Sequence, residues 1–203
     1  MIYSSFFKSK KRGMSLVEIL IVLAISTMIL GIIYSMLSGS TKSKVSADVK
    51  STLQEEGGTI QEQLVKIGTQ CKEVTLIEDT SGAERSTMTY ADFSLLPNTV
   101  LEIKKIVMTY ANDTSYTLKL ENGVLTLENP TINATALSPT VLAENVESVK
   151  IRPLDLNTQS NTSSTLSTAN GIQFLIKLRI SKGYSRDVTS DINVIVNFRN
   201  QNK

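Results

Sequence analysis

The longest apolar run in the chain lies near its start. From Met14 to Leu37, 24 consecutive residues carry a single charge, Glu18. At about 1.5 Å of rise per residue, such a helix crosses a hydrocarbon layer of roughly 30 Å. From Gly39 the composition turns polar, yet the helical period persists. Val45, Val49, Leu53, Ile60, Leu64 and Ile67 recur every three or four residues, with Gly57 in the vacant slot. Lys50, Gln54, Glu55, Gln61, Glu62 and Lys66 fill the other faces. The pattern predicts one helix, apolar all round in its first half and amphipathic in its second, ending near Gly68. Two adjacent glycines cost about 1–2 kcal/mol of helix propensity, so a kink or a close contact with a sheet is expected at Gly57-Gly58.

Beyond Cys71 the period falls to two. Glu73–Glu78 is a short apolar-rich strand, Asp79–Arg85 a turn-rich connection and Thr87–Ser94 an irregular strand. Val100–Tyr110 and Tyr116–Glu121 follow as strands, and Asn122-Gly123 turns the second into Val124–Leu127, a hairpin signal. Asn129–Pro139 reads as a loop, Thr140–Asn145 as a helical turn and Val146–Leu154 as a strand. Asp155–Gly171 is a polar, low-complexity stretch expected to be an exposed, mobile loop. Two alternating strands close the chain. In one, Ile172, Phe174, Ile176, Leu178 and Ile180 alternate with Gln173, Lys177, Arg179 and Ser181; in the other, Ile192, Val194, Val196 and Phe198 alternate with Asn193, Asn197 and Arg199. One buried and one wet face per strand suits an antiparallel sheet packed on a helix. The predicted class is α+β.

Composition narrows the chemistry. The 203 residues include no His, no Trp and one cysteine, Cys71, so an internal disulfide and a cysteine metal cluster are ruled out. Cys71 reads as a small buried hydrophobe near the helix end. Ser/His/Asp and Cys/His arrangements, a GxGxxG and a P-loop are all missing from the sequence, so no catalysis and no cofactor are expected. Lys8, Lys10, Lys11 and Arg12 precede the apolar run, and Lys42 and Lys44 follow it. The denser cluster comes first, which predicts a cytoplasmic N-terminus and an external C-terminal bulk. A secretory signal peptide would have a shorter core and an Ala-x-Ala-like site. A plain single-span anchor fits length and charge but leaves Glu18 unexplained, where a carboxylate costs about 2–3 kcal/mol or more.

Lys11-Arg12-Gly13-Met14-Ser15-Leu16-Val17-Glu18, followed by an unbroken apolar helix, resembles the class III signal of type IV prepilins and pseudopilins. The resemblance implies that a prepilin peptidase cuts between Gly13 and Met14 and that Met14 is then N-methylated. Glu18 becomes the fifth residue of the mature chain, as in that family; Met14 stands where phenylalanine is commoner. The same resemblance implies the pilin fold: leader 1–13, membrane or fibre-core helix 14–37, amphipathic helix 38–68 and β-rich head 69–203. Gln54-Glu55-Glu56-Gly57-Gly58, Leu64-Val65-Lys66-Ile67-Gly68, Val146-Glu147-Ser148-Val149-Lys150-Ile151 and Phe198-Arg199-Asn200 are similar to segments of PilW-type minor pilins and J-type pseudopilins. Residues 72–140 carry no such likeness. Many pilins close a C-terminal loop with a disulfide, which this chain has no second cysteine to form.

Cleavage would create an ammonium at Met14, and Glu18 lies about one helical turn further on. In a fibre the ammonium of a neighbouring subunit can pair with Glu18; the alternative is a Glu18 hydrated at the membrane interface. In the head, residues 38–149 hold 9 basic and 15 acidic side chains, whereas residues 150–203 hold 8 and 3. Lys150, Arg152, Lys177, Arg179 and Arg199 lie on the wet faces of predicted strands and form a basic stripe if those strands are neighbours. Such a stripe suits DNA or an acidic partner, or is ordinary solubilising charge. Asp187 and Asp191, placed in the turn between the last strands, form either a calcium site or, more simply, a solvated turn. These readings converge on a minor type IV pilin. Its expected partners are other pilin subunits, prepilin peptidase, the inner-membrane assembly platform and the membrane before assembly. A pseudopilin of type II secretion or competence, and a pilus-displayed adhesin or DNA-binding head, are the alternatives.

Overall fold

The computed structural model describes residues 15–86, 88–110, 114–128, 138–155, 165–181 and 187–198. The leader, Gly13, Met14, Arg199, most of the 129–139 loop and the middle of the 155–171 loop lie outside them. A single helix, α1, spans Leu16–Gly68, 53 residues, and the β-strands follow it. The chain forms two compact units, Met1–Val45 and Ser46–Lys203. In the first, the described residues are helical from Leu16 onward, and none of the helix's apolar stretch is buried within the chain.

Among the described residues, the second unit holds the amphipathic part of α1 and nine strands: β1 Cys71–Asp79, β2 Glu84–Arg85, β3 Leu101–Tyr110, β4 Ser115–Glu121, β5 Val124–Glu128, β6 Thr140–Ala143, β7 Val146–Pro153, β8 Gly171–Ile180 and β9 Val188–Asn197. They make one antiparallel sheet, with the path β6-β5-β4-β3-β7-β8-β9; β1 pairs with β3 and β2 with β1. The α+β expectation holds. The helix buries Val49, Leu53, Gly57, Ile60, Leu64, Ile67 and Gly68, the predicted stripe less the half-buried Val45. Against it lie the alternate residues of the sheet, among them Val149 and Ile151 of β7, Ile172, Phe174, Ile176 and Leu178 of β8, and Val194 and Val196 of β9. Gly57 is one place where the helix comes close to the sheet: a Cβ there would sit 3.0 Å from Ile192 Cδ1. Gly58 faces open space, so the predicted close contact belongs to one glycine of the pair. The hairpin turn at Asn122-Gly123 has both residues at positive φ, 50° and 81°, the geometry of a type I′ turn.

Three local expectations fail, each for a physical reason. Thr87–Ser94 contains no strand among its described residues; a short helix, α2, covers Tyr90–Ser94. A reciprocal capping box starts it: Thr89 N–H donates to Asp92 Oδ2 at 2.9 Å, and Asp92 N–H donates to Thr89 Oγ1 at 3.3 Å. Thr140–Asn145 is not a helical turn; Thr140–Ala143 extends the sheet as β6, opposite Leu125–Leu127 of β5, and buries Leu142 and Ala143. The Asp155–Gly171 stretch is not exposed throughout. Its described ends are anchored by Leu166 and Ala169, both buried, and by Asp155, which is 7 % exposed. Tyr90 donates its hydroxyl proton to Asp155 Oδ1, and Asn170 Nδ2 donates to Asp155 Oδ2 at 3.1 Å. Burial, reinforced by the neighbouring carboxylate, pushes the Tyr90 hydroxyl well above the usual phenol range. Leu166 N–H also donates to Met88 O at 2.9 Å. Polar sequence composition conceals this anchoring because a few buried groups carry it.

Cys71 is fully buried at the start of β1 and has no disulfide; desolvation pushes its thiol up to about 12. A second buried acid, Asp79, closes the β1–β2 turn. It accepts from the Ser81 hydroxyl, from Ser81 N–H at 2.9 Å, from Ala83 N–H at 3.1 Å and from Arg85 Nη2 at 3.1 Å. These donors, the Ser81 hydroxyl foremost, hold its carboxyl at about 2. A depressed folded-state value stabilises the head above the unfolded-state value of about 4, and that stability is lost as pH falls towards the folded-state value. Urea midpoints should therefore fall as pH drops from about 4 to 2, the interval between the two values. An Asp79→Asn variant should be weaker at pH 7 and fall less across that interval. Parallel midpoint curves for the two proteins would show that Asp79 is not held in this way.

Candidate assembly site

The N-terminal end of α1 is built by its own sequence. Ser15 precedes the first helical residue, Leu16, and Glu18 stands three residues after Ser15. The first N–H groups of a helix have no intrahelical acceptor, and here Ser15 N–H donates to Glu18 Oε2 at 3.2 Å. Ile19 N–H donates to Ser15 O at 3.2 Å, the first turn of the helix. Ser15-x-x-Glu18 is the sequence form of a capping box, a signal that reading Glu18 only as a misplaced acid overlooks. Glu18 is exposed along with Leu16, Val17, Ile19, Leu20 and Ile21. It is thus an acid on an apolar helix long enough to cross a membrane. Gly13 and Met14, the expected processing pair, lie outside the described residues.

Four of the five predicted basic residues share one face of the sheet. Lys150 and Arg152 of β7 stand opposite Leu175 and Gln173 of β8, and Lys177 and Arg179 lie on the same outward row of β8. The fifth, Arg199, lies outside the described residues. The stripe is laced with acids. Lys177 Nζ is 3.0 Å from Glu147 Oε2, Arg179 Nη1 is 3.4 Å from Glu147 Oε1, and Lys150 Nζ is 3.7 Å from Glu102 Oε2. Arg179 also pairs with Asp187. Lys177, then Arg179, holds the Glu147 carboxyl below its usual range; the Ser181 hydroxyl, then Arg179, does the same for Asp187. Arg152 donates to Gln173 Oε1 at 2.7 Å. Position along a strand reveals the cations, but their partners Glu102 and Glu147 come from neighbouring strands and emerge only with the register.

The two acids expected in the last turn are separated by the same register. Asp187 flanks β9 and is tied to Arg179, whereas Asp191 lies within β9 opposite Lys177. Among the described residues no group of three or more His, Cys, Asp or Glu side chains is placed to hold a metal ion. The outward face of β7, β8 and β9 is a mixed-charge surface. Duplex DNA should show no retardation by the detergent-solubilised chain in a gel-shift series at about 0.15 M salt. A complex that weakens steeply as salt rises would instead establish a nucleic-acid surface.

The residues that lead into and open this helix also match a known sequence motif. Residues 8–34 match the prokaryotic N-terminal methylation motif. No curated protein matches the chain. The methylation motif is the class III signal of type IV pilins, and it covers the basic residues Lys8–Arg12, the Gly13-Met14 pair and most of the apolar run. It marks the chain as type IV pilin-like and implies processing by prepilin peptidase and assembly with other pilins. The apolar helix is compatible with membrane anchoring before assembly.

Proposed function

We propose that the chain is a minor type IV pilin, cut between Gly13 and Met14, methylated on Met14 and incorporated into an extracellular pilus. The leader stays in the cytoplasm, the apolar helix holds the processed subunit in the cytoplasmic membrane, and the assembly platform draws it into a helical bundle. One observation carries the reading: the methylation motif opens α1, the same helix that later provides a face of the head's core. The irregular head, with strands of two to ten residues among its described residues and long connections, favours a subunit used sparingly over one repeated along the whole shaft.

The test is fractionation of the producing cells. Mass spectrometry of the mature chain should find methylated Met14 at its N-terminus, and sheared fibres should contain the chain at a small ratio to a major subunit. A chain present in secretion or competence complexes but missing from sheared fibres would replace this reading with the pseudopilin one. Retention of residues 1–13 would sink both.

A further inference from the structure

On the outward face of β7, β8 and β9 most charged groups are satisfied, and those that are not lie together. Lys177 and Arg179 pair with Glu147, Arg179 also with Asp187, and Arg152 donates to Gln173. Lys150 Nζ stays 3.7 Å from Glu102 Oε2, beyond hydrogen-bond distance. The Asp191 carboxylate and the Ser148 hydroxyl have no partner among the described residues. Asn193 accepts from Gln173 Nε2 at 2.9 Å through Oδ1, which leaves its amide N–H groups open. These four residues, with Leu175 and Lys177, line a depression of about 230 Å³. We propose that the depression binds a small zwitterion, an α-amino acid with an aliphatic side chain. The site lies in the head, goes beyond the pilin reading and does not rest on it.

The register builds the site. Lys150 of β7 and Asn193 of β9 both stand opposite Leu175 of β8, and Ser148 and Asp191 both stand opposite Lys177. One wall therefore carries a cation and a hydroxyl, and the other an anion and an amide. The walls are two strand spacings apart, roughly 10 Å between backbones. The lysine and aspartate side chains narrow that gap to the length of a ligand whose opposite charges are a few bonds apart. Its carboxylate accepts from Lys150 Nζ and the Ser148 hydroxyl, and its ammonium donates to Asp191. Leu175 is the one apolar residue in the outward row Gln173, Leu175, Lys177 and Arg179, and it receives the aliphatic side chain. The volume equals that of about eight water molecules, enough for an amino acid of leucine size. Pairing runs without a bulge from Ser148 to Pro153 and along all of β9, so the walls are set before the ligand arrives. Charges this exposed attract weakly, but a dianion would meet Asp191 and a dication Lys150. The opposed pair thus gives selectivity more than tightness.

The test is a titration of the full chain in detergent micelles, labelled at the leucine methyls and followed by nuclear magnetic resonance. Free L-leucine should shift the Leu175 methyl signals saturably, with half-saturation at about 1–10 mM, the scale for so small a ligand at an open site. N-acetylleucine lacks the ammonium and leucinamide lacks the carboxylate. Each should bind about fivefold more weakly or worse, as expected for losing one charge-assisted hydrogen bond. Two variants then assign the walls. Lys150→Ala should remove the advantage of leucine over leucinamide, and Asp191→Asn its advantage over N-acetylleucine. Both side chains are outward-facing, so melting of the head should be unchanged and the variants remain readable. No saturable shift of Leu175 up to about 50 mM leucine, several times the expected half-saturation, overturns the inference. Equal binding of the three compounds overturns it too, because the opposed charges would then play no part. Preferences that survive both substitutions place the ligand elsewhere and have the same consequence.

Discussion

Gly68→Ala is expected to destabilise the head by about 3 kcal/mol, the upper end of the usual range for overpacking a core. Gly68 is the last residue of α1 and is buried. A Cβ built on it would lie 1.6 Å from Val196 Cγ1, 2.9 Å from Val196 Cβ and 3.2 Å from Val196 Cγ2. Turning the valine does not clear the space, because its Cβ and second methyl are also within contact and its χ1 is stiff. The neighbours cannot yield freely either: Val196 is buried in β9 and pairs with Ile172 of β8, itself fully buried. Relief must come from moving the helix end away from the sheet, which would loosen Leu64 and Ile67. For a unit of this size the loss corresponds to a fall in Tm of roughly 6–12 °C, readable by circular dichroism. Gly58→Ala is the control, since Gly58 is exposed with nothing near its absent Cβ. It should be neutral or gain up to about 1 kcal/mol of helix propensity. Adding Val196→Ala to Gly68→Ala should recover part of the loss, because the cavity of one change receives the methyl of the other. A Gly68→Ala protein as stable as wild type would mean that the helix end does not lie against β9.

The asymmetry between these two glycines shows what kind of information the sequence held. The helix, its amphipathic face and its end near Gly68 follow from period and composition, because burial on one face imposes a repeat on the residues themselves. The alternating strands β8 and β9 are legible for the same reason, and the Asn-Gly turn because few residues other than glycine and asparagine accept its backbone angles. Which residue meets which is another matter. That Gly57 and Gly68 face the sheet while Gly58 does not depends on register between elements far apart in the chain. The same limit applies to the basic stripe. Alternation places Lys150, Lys177 and Arg179 on one wet face, but their neutralisation by Glu102, Glu147 and Asp187 is a cross-strand fact. The helix at Tyr90–Ser94 does carry a local signal. Thr89-x-x-Asp92 is a capping box with aspartate in the glutamate position, and it outweighs the weak β-propensity of Thr87–Ser94. Ser15-x-x-Glu18 is equally legible as the sequence form of such a box, and the structure shows the bond from Ser15 N–H to the Glu18 carboxylate. No comparable local code announces the Tyr90–Asp155–Asn170 contact, whose members are separated by 65 and 15 residues.

The largest functional effect is expected at Glu18. Glu18→Ala should leave the chain folded, membrane-bound and processed, yet reduce its recovery in sheared fibres by about a hundredfold or more. In the membrane the substitution removes a charge that costs about 2–3 kcal/mol at mid-span and less nearer the interface, so insertion should be unchanged or improved. In the proposed bundle the sign reverses. The ammonium of a neighbouring Met14 would be surrounded by apolar helix with no anion, and removing one member of a buried pair costs about 3–5 kcal/mol. At 1.4 kcal/mol per tenfold, that is a factor of roughly 10² to 10³ or more in the assembly equilibrium. The head should register nothing, since Glu18 belongs to the first compact unit and the sheet to the second; unchanged melting of the head would confirm that the defect is one of assembly. Glu18→Gln should fall between wild type and alanine, because its amide accepts a hydrogen bond but provides no charge. Salt is a further discriminator. A pair enclosed in the bundle is poorly screened, whereas contacts between head surfaces weaken over a Debye length of about 8 Å at physiological salt. Added salt should therefore loosen head contacts in wild type and variants alike and leave the ratio between them unchanged. Equal recovery of Glu18→Ala and wild type from fibres would assign the acid to the interface with water and remove it from the assembly mechanism.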